Sequence, residues 1–232
     1  GDLTHRAGDA DAELARRFIE RLAADVPVVY VPGNHDPAPM PSEVVAGVPG
    51  ATAEHLSART LGGITVVGWG CDRRSLTPAL PQTEFDALDP RASPRGDRRY
   101  AADRIADDLL DACHRVVRGS ASVGEVATSL GIDDDDAAAF HRGVETVEAT
   151  YDRLSDRLRG RSDALLATHV PPFGTSFDRH HAVGARETDR EYLHTGSVAL
   201  ALAIRDHDVF AAFSGHSHAF GYDTGEGRDG RP

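Results

Sequence analysis

A chain of 232 residues, 40% of them hydrophobic, can bury the core of one large domain or of a domain carrying a subdomain, which excludes disorder and fibrous repeats. Its 37 acidic and 25 basic residues leave a net charge of −12, a balance that speaks against nucleic acid or an anionic membrane as partner. No apolar run reaches the roughly 20 residues of a membrane span, no signal-peptide pattern opens the chain, and two cysteines make neither a disulfide framework nor a thiolate zinc site. A cytoplasmic protein is therefore expected. Every basic residue is arginine, a bias that fits a salt-adapted or GC-rich organism or plain codon usage.

In chain order, Asp9 and Asp11 read as N-caps of a first helix with Leu14, Phe18, Ile19 and Leu22 on one face. Pro27 to Val31 is a compact β-branched run and predicts a buried strand. Ile64 to Trp69 predicts a second, entered through Gly62-Gly63 and left through Gly70. Residues 72 to about 97 hold four prolines and several arginines, the composition of an irregular surface loop. Two longer helices follow. One carries Ile105, Leu109, Cys113 and Val116; the other carries Phe140, Val144, Val147, Tyr151, Leu154 and Leu158 at alternating steps of three and four. Between them Ser122 and Glu125 form a capping box that opens a short helix ending near Gly131. Ala164 to Thr168 and Val209 to Phe213 predict two further strands, with a helix capped by Ser197 and running to about Arg205 between them. Short buried strands alternating with helices predict a layered α/β fold, divided as a core over 1–71, a loop and helical insertion or cap over 72–160, and a second part of the core over 161–232.

Four short motifs carry chemistry: Gly1-Asp2, Gly33-Asn34-His35-Asp36, Thr168-His169 and Gly215-His216-Ser217-His218. The last three each follow a predicted strand. Loops at the carboxyl ends of strands in an open α/β sheet converge on one crevice, so these distant residues can share a pocket. Taken singly, Asn-His-Asp is ordinary turn chemistry and His169 an ordinary core histidine; three such coincidences at strand ends argue for a site. Carboxylate, amide and imidazole donors without a thiolate suit manganese, iron or zinc. The glycines before Asn34 and His216 allow sharp turns that bring side chains to a metal. The remaining histidines, among them His114, His194 and His207, lack such placement and read as mostly surface residues.

These motifs, in this order, resemble those of the calcineurin-like metallophosphoesterases. The resemblance spans nearly the whole chain apart from the helical insertion. It implies a layered β-sandwich flanked by helices, with two divalent metal ions at the strand ends. Asp2 would bridge both ions, Asn34, His169 and His216 would complete the shell of one, and His218 would bind the other. His35 would contact the phosphoryl group, protonating the leaving oxygen or stabilising the transition state, with Asp36 orienting its ring. Arg6 stands where some relatives have a phosphate-contacting arginine. A hydroxide activated by the two metals would then hydrolyse a phosphomonoester or phosphodiester, of small-molecule or nucleotide type.

The family also begins with an Asp-x-His motif, which has no counterpart in this sequence. The chain is therefore expected to be an N-terminally truncated piece of a longer enzyme, lacking a first strand and some C-terminal strands, with one ion held well and the other poorly. Two other readings stand beside the enzyme. Residues 120–132 loosely resemble the start of a helix-turn-helix, which would make the insertion a nucleic-acid or protein binding module, although Asp133 to Asp136 would repel a phosphate backbone. A catalytically inactive scaffold is the third.

Overall fold

The structure is a computed structural model that describes residues 1–4, 8–36, 39–70, 84–85, 103–178, 194, 196–217 and 221–222. The chain divides into two compact units, the first comprising Gly1–Pro81, Gly160–Val170 and Asp208–His216, the second Gln82–Arg159, Pro171–His207 and Ser217–Pro232.

The first unit holds the strands. Helix α1 (Asp9–Ala23) starts at Gly8, which is extended and caps with no side-chain hydrogen bond. Asp9 and Asp11, expected as caps, lie one and three positions past the cap, inside the first turn, where their charges still favour the helix N-terminus. Its core face also differs from the one the sequence predicts. Ala15 and Ile19 are buried with Tyr30, Met40, Val44 and Val48, whereas Leu14, Phe18 and Leu22 are 66%, 52% and 39% exposed. The face lined by the small side chains Ala12, Ala15 and Ala23 is the one that packs inward, turning the larger side chains away.

Strand β1 (Val28–Tyr30) pairs in parallel with β2 (Ala51–Ala53), and α2 (Met40–Val45) lies between them in sequence. Strands β3 (Ser57–Leu61) and β4 (Ile64–Trp69) form a hairpin across Gly62 and Gly63, both at positive φ (57° and 88°). A two-residue turn with both central residues left-handed matches the strand twist, and glycine enters that region without a steric penalty. Parallel to β4 runs β5 (Ala164–Thr168), and parallel to β5 runs β6 (Val209–Phe213), giving the order β3-β4-β5-β6. Because β5 and β6 are parallel, their carboxyl ends open on the same side, and β5 delivers Thr168-His169 where β6 delivers Gly215-His216.

The second unit is helical. It contains α3 (Asp103–Val117), α4 (Val123–Ser129), α5 (Asp134–Leu158) and α6 (Val198–Asp206). The capping box forms at α4: the Glu125 N–H donates to the Ser122 hydroxyl, and the Ser122 N–H to the Glu125 carboxylate. All six apolar residues expected on one face of α5 are buried. At the C-terminal end of α6, Asp206 accepts from Tyr151 Oη (2.7 Å), Arg118 (2.7 Å) and His114 Nε2 (3.1 Å), tying α3, α5 and α6 together.

Two corrections fall here. Within the stretch read as a surface loop, Glu84 and Phe85 are buried. Phe85 stacks on Phe140, centroids 5.7 Å apart, and Glu84 accepts from the Ser197 hydroxyl and from the N–H groups of Val198 (3.1 Å) and Ala199 (3.3 Å) at the start of α6. The rest of the stretch from 72 to about 97 read as that loop lies outside the described residues. His194, read as a surface histidine, is buried and hydrogen-bonds the buried Asp178, whose other oxygen accepts from the Gly174 N–H (3.0 Å) and the Gly196 N–H (3.2 Å). Among the described residues no helix is long and apolar enough to cross a membrane.

Candidate metal centre

The predicted ligands that the structure describes come together in the first unit. His169 follows β5 directly; its N–H donates to the Trp69 carbonyl (3.0 Å), and its carbonyl accepts from the Gly215 N–H (3.1 Å), so the ends of β4, β5 and β6 are laced at the backbone. That lacing sets the imidazoles of His169 and His216 edge to face, centroids 5.0 Å apart. The Nε2–H of His169 donates to Asn34 Oδ1 (2.8 Å), and the same nitrogen lies 3.5 Å from Asp2 Oδ2. Ligand atoms of Asp2, His169 and His216 all lie within 4.8 Å of one another. A divalent ion bonded to each at about 2.0–2.2 Å could be reached from there with small shifts.

Gly33 makes the approach of Asp2 possible. A Cβ at position 33 would stand 2.0 Å from Asp2 Oδ1, so any side chain there would expel the carboxylate. The expectation of a glycine-borne turn needs revision. Neither Gly33 nor Gly215 has a positive φ; the left-handed residues at the cluster are two of the predicted ligands, Asp2 at φ 56° and His216 at φ 66°. Non-glycine residues in that region each cost on the order of 1–3 kcal/mol and persist only where their surroundings hold them.

The turn after β1 is held by its own acid. Asp36, fully buried, accepts from the N–H groups of Gly33 (2.9 Å), Leu3 (3.3 Å) and Thr4 (3.0 Å), and the Thr4 hydroxyl lies 3.1 Å from the same carboxylate. Burial opposes its charge, but hydrogen bonds from Gly33, Thr4 and Leu3, with the Tyr30 phenol nearby, outweigh burial and hold the carboxyl below the usual range. Tyr30 pays the reciprocal cost: burial and the Asp36 charge push its phenol up, keeping it neutral. The N–H of His35 donates to Asp2 Oδ1 (2.9 Å), and the residue itself is half-buried. Arg6 and His218 lie outside the described residues.

The donor set suits a divalent ion. One carboxylate, one amide oxygen and two imidazoles face each other, and His169 Nδ1 is buried with no hydrogen-bond partner among the described residues. Burial pushes the His169 imidazole well below its ordinary range against the pull of Asp2, so the ring is neutral at neutral pH, the form that binds metal. Thr4 escaped the sequence reading, because it works through His35 and Asp36 far along the chain.

Compared with known proteins, residues 1–220 match the model of the calcineurin-like phosphoesterase family. Neither a search of the curated proteins nor one of the solved structures returned a significant match.

Proposed function

The chain belongs to the calcineurin-like phosphoesterase family, whose chemistry is metal-dependent hydrolysis of phosphate esters, and from that premise we propose that it acts on a small phosphorylated molecule or nucleotide with two divalent ions bound at the centre around Asp2. One observation carries the reading: the loops after β5 and β6 bring two imidazoles together with the Asp2 carboxylate, and the loop after β1 sets the Asn34 amide oxygen against His169. The ions supply positive charge to the phosphoryl group and acidity to water.

The protein's own residues do the rest. Asp2 Oδ1 accepts the His35 N–H and Oδ2 lies toward His169, which supports a place for Asp2 among the ligands; the bridging role is the one the family resemblance implies. Neutral imidazoles and an amide bind metal without cancelling the charge that attracts an anionic substrate. His35 is the residue that contacts the phosphoryl group and protonates the leaving oxygen, and Asp36 keeps its turn in place through the three N–H groups it accepts. His218 joins the metal ligands and Arg6 the phosphate. The net charge of −12 favours a small substrate over a polynucleotide.

The test is hydrolysis of p-nitrophenyl phosphate, bis(p-nitrophenyl) phosphate and single-stranded DNA by the manganese-loaded protein. Turnover of a nitrophenyl ester, abolished by chelator and by His169→Ala, is the expected result. A protein that binds manganese yet releases nitrophenol from neither ester would overturn the proposal; cleavage of the DNA alone would reassign it to polynucleotides.

A further inference from the structure

Thr4 has no place in the ligand set, yet its polar atoms face the catalytic turn. It is 6% exposed, its N–H donates to Asp36 Oδ1 (3.0 Å), and its hydroxyl lies 2.6 Å from the His35 carbonyl and 3.1 Å from Asp36 Oδ1. A hydroxyl carries one hydrogen, and both neighbours are acceptors when Asp36 is ionised. The shorter contact takes the hydrogen, so Thr4 Oγ1 donates to the His35 carbonyl while its N–H serves Asp36. From Asp2 the opposite edge of the same turn is held, since Asp2 Oδ1 accepts the His35 N–H (2.9 Å). The peptide groups on both sides of His35 are thus clamped by residues two apart in the Gly1–Thr4 segment.

We propose that Thr4 is a positioning residue for the phosphoesterase centre: its hydroxyl locks the Asn34–Asp36 turn onto the Asp2 segment, setting the spacing of Asp2 and Asn34 and the placement of His35. The inference rests on the reading of this cluster as a divalent-ion site. Valine keeps the shape of threonine and loses only the donor; serine keeps the donor and loses only the methyl. Groups that orient ligands from outside typically change metal affinity or activity by about 10–100-fold when removed.

The experiment compares Thr4→Val and Thr4→Ser with the parent in two measurements on folded protein. Deuterium uptake by the peptide covering residues 31–36, taken without metal, reads the lock itself; calorimetric titration with manganese reads its effect on the site. Thr4→Val is expected to raise the uptake rate and weaken manganese binding about tenfold, with Thr4→Ser close to the parent in both. Unchanged uptake in Thr4→Val would overturn the proposal, as would faster uptake with parental manganese affinity, which makes the hydroxyl merely structural. A parent that binds no manganese would bring down the metal-centre reading itself, a result distinct from both. Should Thr4→Val not fold, Thr4→Ala carries the same comparison.

Discussion

Gly33 and Asp2 occupy nearly the same space, and that crowding makes a sharp prediction. Gly33→Ala would place a methyl on the carboxylate that holds the His35 N–H, so the protein should keep its secondary structure by circular dichroism and lose manganese affinity by at least about tenfold in titration. Asp36→Asn acts differently. Its new amide would turn N–H donors either toward the N–H groups of Gly33 and Leu3 or toward that of Thr4, and leaving such groups unpaired in a buried turn should cost about 1–3 kcal/mol in chemical denaturation. At this scale the candidate ligands were legible because Asn34, His169 and His216 each follow a compact apolar run that announces a strand end. The supports were not. Thr4 meets His35 and Asp36 across separations of 31 and 32 residues, and no local pattern marks a threonine that answers a carbonyl so far away.

Among the elements, legibility tracked periodicity. Strands β4, β5 and β6 begin and end where their apolar runs do, and α5 buries the face its three-and-four spacing describes. The segment from Met40 to Leu61 holds α2, β2 and β3 in pieces of three to six residues, too short to show a period, and the sequence reading passed over them. Helix α1 misled for another reason: an alanine-rich stripe and a Leu-Phe-Leu stripe both run along it, and close packing selected the smaller. Gly143 in α5 shows what such packing demands. Alanine would ordinarily improve a helix interior by about 1 kcal/mol. Here a Cβ would stand 2.1 Å from the buried ring of Phe85, so Gly143→Ala should instead destabilise the protein by about 1–3 kcal/mol in urea unfolding. Asp206 gives a pH test. Burial opposes its charge, but Arg118, Tyr151 and His114 outweigh burial and hold the carboxyl below the usual range. Its folded pKa thus lies below the unfolded value near 4, so its contribution is whole above that value and fades as pH falls through the folded one. Asp206→Asn should be less stable than the parent at pH 7 by about 1.5–3 kcal/mol, and the gap should close below about pH 4.

Over the whole molecule, charge and metal act on the same balance. A net charge of −12 sets the folded chain against itself, and raising the salt concentration should raise the melting midpoint as that repulsion is screened. A divalent ion does more, because it binds the folded state alone. At a hundredfold excess over its dissociation constant it adds about 2.7 kcal/mol, a rise of about 5–10 °C in the midpoint of a chain this size. Manganese should produce that rise in the parent and not in His169→Ala, measured by thermal melting; equal rises in both would separate the stabilisation from this centre.

The left-handed backbone at His216 has an evolutionary consequence. Asparagine or glycine would sit at φ 66° with less strain, so drift toward a sturdier fold would pull the position away from imidazole. A left-handed histidine persists where its surroundings hold it, and here it sets its imidazole against that of His169. A lineage that stopped using the metal would be expected to shed this side chain early and become harder to melt as it did so, which makes residue 216 a gauge of whether a relative still performs the chemistry.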